Sequence, residues 1–181
     1  MNKGYQEPVV QDIADAIREK NGLTVGYKIA EMPQAIRNLG SSSSLFLQMV
    51  ERSIISVEDD TAVLIGNSAF RWASSLNNVF FSRARVIGAD AFRNTSNLRR
   101  ATFMEVDTID GRAFQESSRL ETLVIGSNRV ARLIDTNAFI ATPIFMGAGY
   151  IYVPENLVDA YKTAQNWRSF ASQIKPMTEL P

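Results

Sequence analysis

Three segments of this chain superpose without a gap: IGNSAFRWASSLNNVFF from Ile65, IGADAFRNTSNLRRATF from Ile87 and IDGRAFQESSRLETLVI from Ile109. The step between them is 22 residues each time. Their shared pattern is I-G-x-x-A-F-x-x-x-x-x-L-x-x-V-x-F, and its large apolar positions recur in register as Ile65/Ile87/Ile109, Phe70/Phe92/Phe114/Phe139, Leu76/Leu98/Leu120 and Phe81/Phe103/Ile125. One such unit is too short to enclose these side chains. Stacked units bury them against each other as one continuous core, so the pattern predicts a solenoid. The small residue at Ala69, Ala91, Ala113 and Ala138 predicts a crowded position inside the coil. Polar stretches such as Thr95-Ser96-Asn97 and Ser117-Ser118 predict a turn or short helix, and the V-x-F alternation after them predicts a strand. A degenerate fourth copy, LIDTNAFIATPIFMGAGYIYV, places Phe139 25 residues after Phe114, with a small insertion expected near residues 126–130. An earlier half-copy, SIISVEDDTAVL, predicts the first turn.

Composition narrows the chemistry. The chain has no histidine and no cysteine, which removes the commonest general base, the thiolate nucleophile and the zinc–thiolate site. A serine–lysine pair has little to draw on, because no lysine lies between Lys28 and Lys162. No phosphate-binding loop, dinucleotide fingerprint or zinc motif is present. The acidic groups Glu58-Asp59-Asp60 and Glu105/Asp107/Asp110 read as solvated turns, and the first lacks the spaced oxygens and glycine of a calcium loop. The expectation is a protein that is not an enzyme and has no cofactor and no metal. Nineteen basic residues balance nineteen acidic ones, so no net field recruits nucleic acid. The opening has no signal-peptide core and no apolar run of spanning length, so neither a cleaved leader nor membrane insertion is expected.

The repeat unit resembles the BspA-like leucine-rich repeat, a short-strand solenoid. The tail GYIYVPENLVDAYKTAQNWRSFASQIKPM resembles the C-terminal cap that closes such arrays. The opening QDIADAIREKNGLTVGYKIAEMPQAIRNL resembles a short helical unit found at the front of tail-associated proteins of bacteriophages of Gram-positive bacteria. These resemblances imply an α+β chain in four parts: a helical attachment or oligomerisation segment (1–40), a serine linker (41–44), a repeat solenoid (45–153) and a helical cap (154–181). In that cap Pro154 is expected in the first turn of a helix, with Leu157, Ala160, Tyr161 and Ala164 on one face and Trp167, Phe170 and Ile174 continuing the apolar series. The function implied is that of a phage tail or baseplate protein located in the virion. It would join other tail proteins, or copies of itself, through the N-terminal helices. The solenoid would present a surface for tail assembly or for a host cell-surface glycan or protein. A bacterial surface adhesin and an interaction scaffold are the alternatives, the adhesin disfavoured by the lack of a leader and wall anchor.

The repeat region holds ten arginines and no lysine from Arg71 to Arg132. Positions 22 apart lie on adjacent coils, at the strand spacing of about 4.8 Å. Arg83 then neighbours Glu105, Arg85 neighbours Asp107, Asp107 neighbours Arg129, Asp90 neighbours Arg112 and Arg99 neighbours Glu121. The alternation of sign favours ladders that fix the register over a basic groove. What the ladders leave unexplained is an outward strip. With Val79 and Phe81 inward, Phe80, Thr102 and Val124 line up on the outside beside Arg100 and Met104. That strip is either a contact face or covered by another part of the chain or oligomer. Trp72 replaces Asn94 and Glu116 of the next coils and is either an exposed anchor or packed by the N-terminal helices. The candidate binding surface is therefore Trp72, Phe80, Arg100, Thr102, Met104 and Val124.

Overall fold

A computed structural model describes residues 55–181, and the expected N-terminal hairpin, serine linker and leading segment up to residue 54 lie outside the described residues. Each of the first four coils contributes one strand to each of two parallel sheets, and the last two strands of the chain extend the larger one. The larger sheet is ordered β1 (Ser56–Asp59), β3 (Asn78–Phe81), β5 (Arg100–Phe103), β7 (Thr122–Ile125), β9 (Tyr150–Val153) and β10 (Ile174–Pro176). The smaller is ordered β2 (Leu64–Ile65), β4 (Val86–Ile87), β6 (Thr108–Ile109) and β8 (Arg132–Leu133). Strand pairing follows the repeat: Val57, Val79, Ala101, Leu123 and Ile151 are successive partners across the larger sheet.

The core between the sheets is a column of rings. Phe70, Phe92, Phe114 and Phe139 stack with centroids 5.1, 5.3 and 5.7 Å apart and planes within 3° of parallel. Phe81 and Phe103 form a second stack at 5.9 Å, tilted against the first. Ile87, Ile109, Leu76, Leu98 and Leu120 fill the rest, all fully buried. Burial of each such side chain stabilises by about 1.5–3 kcal/mol, repeated coil after coil.

The third side of each coil carries neither sheet, yet its backbone is also bonded from coil to coil. The amides of Ser68, Phe70 and Trp72 donate to the carbonyls of Ala89, Ala91 and Arg93, and those of Asp90, Phe92 and Asn94 donate to Gly111, Ala113 and Gln115. Alternate amides can all point along the stack because two residues per turn adopt left-handed backbone: Ser68, Asp90 and Arg112 at one position, and Trp72, Asn94, Glu116 and Ala141 at the other. Inside this turn Ala91, Ala113 and Ala138 are fully buried, as the small-residue position predicts. At Gly88 a Cβ would sit 2.8 Å from the backbone nitrogen of Asn67, so the preceding coil requires glycine there.

The turns expected at Thr95-Ser96-Asn97 and Ser117-Ser118 are present, with Thr95 and Ser117 fully buried because their hydroxyls satisfy a backbone carbonyl inside the coil. Two expectations need correction. The insertion in the fourth copy is not confined to residues 126–130. The step is 24 at the smaller sheet (Thr108 to Arg132), 25 at the alanine (Ala113 to Ala138) and 28 at the larger sheet (Thr122 to Tyr150). The cap, finally, is only partly helical. Pro154 precedes a single 3-10 turn (Glu155–Leu157), and the one α-helix among the described residues, α1, is short (Val158–Thr163). Tyr161 is buried but Ala160 faces solvent. Trp167 and Phe170 follow on a 3-10 turn, and the chain returns as β10 to pair with β9. Both rings close the phenylalanine column, with Phe170 edge-on to Phe139 at 5.3 Å and Trp167 at 6.1 Å. The Trp167 indole N–H donates to the Ala131 carbonyl at 2.6 Å, and the Tyr161 hydroxyl accepts from the Ala131 amide at 2.9 Å.

Candidate functional site

The outward face of the larger sheet carries two side-chain rows. Ser56, Asn78, Arg100, Thr122 and Tyr150 are successive partners in one, and Glu58, Phe80, Thr102, Val124 and Tyr152 in the other, which β10 extends with Lys175. The sequence places Phe80, Thr102 and Val124 in register, and the structure brings them together in that order. Exposure divides them. Phe80 is 36% exposed and Thr102 half-buried, but Val124 is 1% exposed, flanked by Thr102 and the buried Tyr152. Val124 is therefore lost as a contact residue: the fourth coil, with its own aromatic, crowds the row. Met104 is also drawn inward along the sheet, lying over Gly126, where its methyl would be 2.5 Å from an added Cβ.

The open part of the face lies at the other end. An open depression of about 340 Å³ is lined by Ser56, Glu58, Asn78, Phe80, Arg100 and Thr102 over the buried Val57 and Val79. Phe80 offers a free ring there. Tyr150, by contrast, has its ring occupied by the Lys175 ammonium, 4.4 Å from the centroid. Glu179, 3.3 Å from Lys175, holds the ammonium in place and raises its pKa. The repeat register already turns Asn78 outward with Arg100, whereas Glu58 reads in the sequence only as part of an acidic turn and joins the face once β1 is counted as a full strand.

Trp72 lies on the turn rather than on this sheet. It is 53% exposed, with the Arg71 guanidinium 5.9 Å from its ring, and its φ is +66°. A left-handed backbone is costly for a bulky residue, so Trp72 is held there by the coil and not by its own preference.

The arginines separate into two sets. Arg85, Arg93, Arg99, Arg112 and Arg129 are ion-paired, with Asp107 bound between Arg85 and Arg129, and Asp90 between Arg93 and Arg112. Four of the five pairs expected from the register are present. The fifth is corrected: Glu105 lies 3.5 Å from Arg85 instead of Arg83, because one guanidinium fork reaches both Glu105 and Asp107. The Arg129 hydrogen bond holds the Asp107 carboxyl below its ordinary pKa. Among the described residues, Arg100 and Glu58 form no ion pair, so the two charged groups of the depression are uncommitted.

Among the described residues no group of three or more acidic side chains is placed to hold a metal ion, and no helix is long and apolar enough to cross a membrane. No curated protein matches the chain. The family model for the BspA type leucine rich repeat region matches residues 31–162, in six copies. The stacked parallel coils and the extent of that match agree, and the chain belongs to the BspA-type leucine-rich repeat family.

Proposed function

We propose that this solenoid is a non-enzymatic binding module of a bacteriophage tail or baseplate, located in the virion, with the outward face of its larger sheet as the contact surface. The observation that carries the binding role is the group on that face: a partly exposed Phe80 between Glu58 and Arg100, neither of which joins the ion-pair ladders that engage Arg85, Arg93, Arg99, Arg112 and Arg129. Stacked repeats generate extended surfaces of this kind at little cost, since each coil only has to fit its neighbours. The tail assignment is supported by the resemblance of residues 11–39 to a helical unit at the front of tail-associated proteins, paired with a repeat array and a cap resembling those that close such arrays at residues 149–177. On this reading residues 1–40 attach the module or join copies of it, and several copies on one particle multiply a modest affinity.

The test is mass spectrometry of purified particles from a host carrying the gene, alongside attachment of the isolated full chain to cells. The module is expected in the particles, and Phe80→Ala is expected to remain incorporated while losing attachment. Absence of the chain from particles and from prophage-derived tails overturns the tail assignment.

A further inference from the structure

The depression on β1, β3 and β5 has a composition that selects a ligand class. Six side chains, from Ser56 to Thr102, supply one acceptor-only carboxylate (Glu58), one donor-only guanidinium (Arg100), an amide that does both (Asn78), two hydroxyls (Ser56, Thr102) and one phenyl ring (Phe80). Register places Glu58 beside Phe80 and Asn78 beside Arg100, so the charges occupy opposite corners, two strands apart, with the ring between them. Two strand spacings and two residues along the strand separate their Cα atoms by about 12 Å, and the two side chains form no ion pair with each other. The patch is therefore locally neutral but rich in both donors and acceptors. At about 340 Å³ it is at the small end of ligand sites, which run from roughly 300 to 1,000 Å³.

An extended peptide gains its affinity by adding to a sheet edge, whereas the centre of this site lies over β3, whose backbone is paired on both sides with β1 and β5. An anion would meet Glu58, and a cation would meet Arg100. We propose that the depression is a subsite for a neutral saccharide unit of a surface glycan, whose C–H face packs on Phe80 and whose hydroxyls bond to Glu58, Asn78, Arg100 and Thr102. This rests on the reading of the outward face as the binding surface and names what binds there. Tyr150, the other exposed aromatic of the same rows, does not serve, because Lys175 occupies its ring.

Saturation-transfer NMR on the full chain with glucose, galactose and N-acetylglucosamine at millimolar concentration tests the assignment. Transfer to sugar ring protons is expected, and Phe80→Ala, Arg100→Ala and Glu58→Gln should each weaken binding roughly tenfold, the effect of one lost stacking or charge-assisted contact. Thr102→Lys, which fills the depression from a half-buried position, should abolish transfer while an unchanged circular dichroism spectrum reports intact folding. Absence of transfer to every sugar, or transfer indifferent to Phe80→Ala and Thr102→Lys, overturns the subsite. A chain found in particles whose Phe80→Ala variant loses cell attachment but which binds no sugar overturns the saccharide and leaves the tail role standing. Sugar binding lost in Phe80→Ala, in a chain absent from particles, overturns the tail role and upholds the subsite.

Discussion

The hydroxyl oxygens of Thr95 and Ser117 lie 2.8 Å apart inside the solenoid, and both reach the carbonyl of Phe92, at 2.6 and 2.7 Å. Both residues are fully buried, and they fall at the same offset in consecutive coils. The third hydroxyl at this offset, Thr142, bonds in the same way to Phe139, so a polar thread runs beside the phenylalanine column. Thr95→Val and Ser117→Ala should each cost about 1 kcal/mol, because the other hydroxyl still serves the carbonyl. The double variant should cost more than the sum, since Phe92 then keeps only the Thr95 amide at 3.3 Å. A double-mutant cycle in urea measures the coupling, and strict additivity would show that the hydroxyls act independently.

Phe92, like Phe114, has stacked neighbours on both sides, here Phe70 and Phe114. Phe92→Ala opens a cavity that the flanking coils cannot close without losing their backbone ladder. Denaturant unfolding should show a loss of about 3–5 kcal/mol, whereas Phe145→Ala, on an exposed side chain, should cost far less.

Trp72 predicts the opposite sign. Its left-handed backbone suits asparagine, the residue that occupies the same position in the next coil as Asn94. Trp72→Asn should raise stability by about 1 kcal/mol in thermal or chemical unfolding. A loss of similar size would mean that the indole packs on something that the strain does not reveal.

One tyrosine and one carboxylate give the pH response. Burial pushes the Tyr161 hydroxyl up to about 12 from an ordinary 10, while its bond to the Ala131 amide acts against the shift. A raised folded value means that stability is fully present below pH 10 and falls between pH 10 and 12, by about 1.4 kcal/mol per unit. Tyr161→Phe should abolish that alkaline loss and cost about 1–3 kcal/mol at neutral pH, because the buried Ala131 amide loses its acceptor. Asp107 works at the acid end. Its depressed value, caused mainly by the Arg129 hydrogen bond, contributes stability above pH 4 that is lost as pH falls further. That contribution is below about 1 kcal/mol after solvent screening.

Asp107 also tests the register. Asp107→Lys places three cations in one column between Arg85 and Arg129. Unfolding at low salt should show a destabilisation of about 1 kcal/mol, which 0.5 M salt largely removes by shortening the screening length to a few ångströms.

The coil was legible because its signal is a spacing. Phe70, Phe92 and Phe114 lie 22 apart, and any stack that keeps them in contact also puts Arg99 beside Glu121 and Phe80 beside Thr102. The cap was less legible. The i, i+3, i+4 pattern from Leu157 to Ala164 suggests a longer helix, but Ala164 turns extended at ψ 151° and ends it, and Ala160 within it faces solvent. The candidate surface failed at Val124 for a related reason. Alternation tells which way a side chain points, not what its neighbour lays across it, and Tyr152 comes from a copy too degenerate to align residue by residue. Thr95 and Ser117 were readable in principle: Ala73, Thr95 and Ser117 share one offset, and alanine in that series marks an interior position.

The uniform 22-residue step between the first coils makes length an inheritable unit. Backbone bonds that cross from one coil to the next recur at the next crossing, as when Phe70 bonds to Ala91 and Phe92 to Ala113. Unequal recombination that removes or duplicates one step would join two surfaces that already fit, with no side chain needing to adapt. Among the described residues, the widened fourth coil and its cap break the 22-residue step and are tied to one place in the array. A gene built this way can change the reach of its product in whole coils, the way a ladder is lengthened by rungs, while the closing end stays the same.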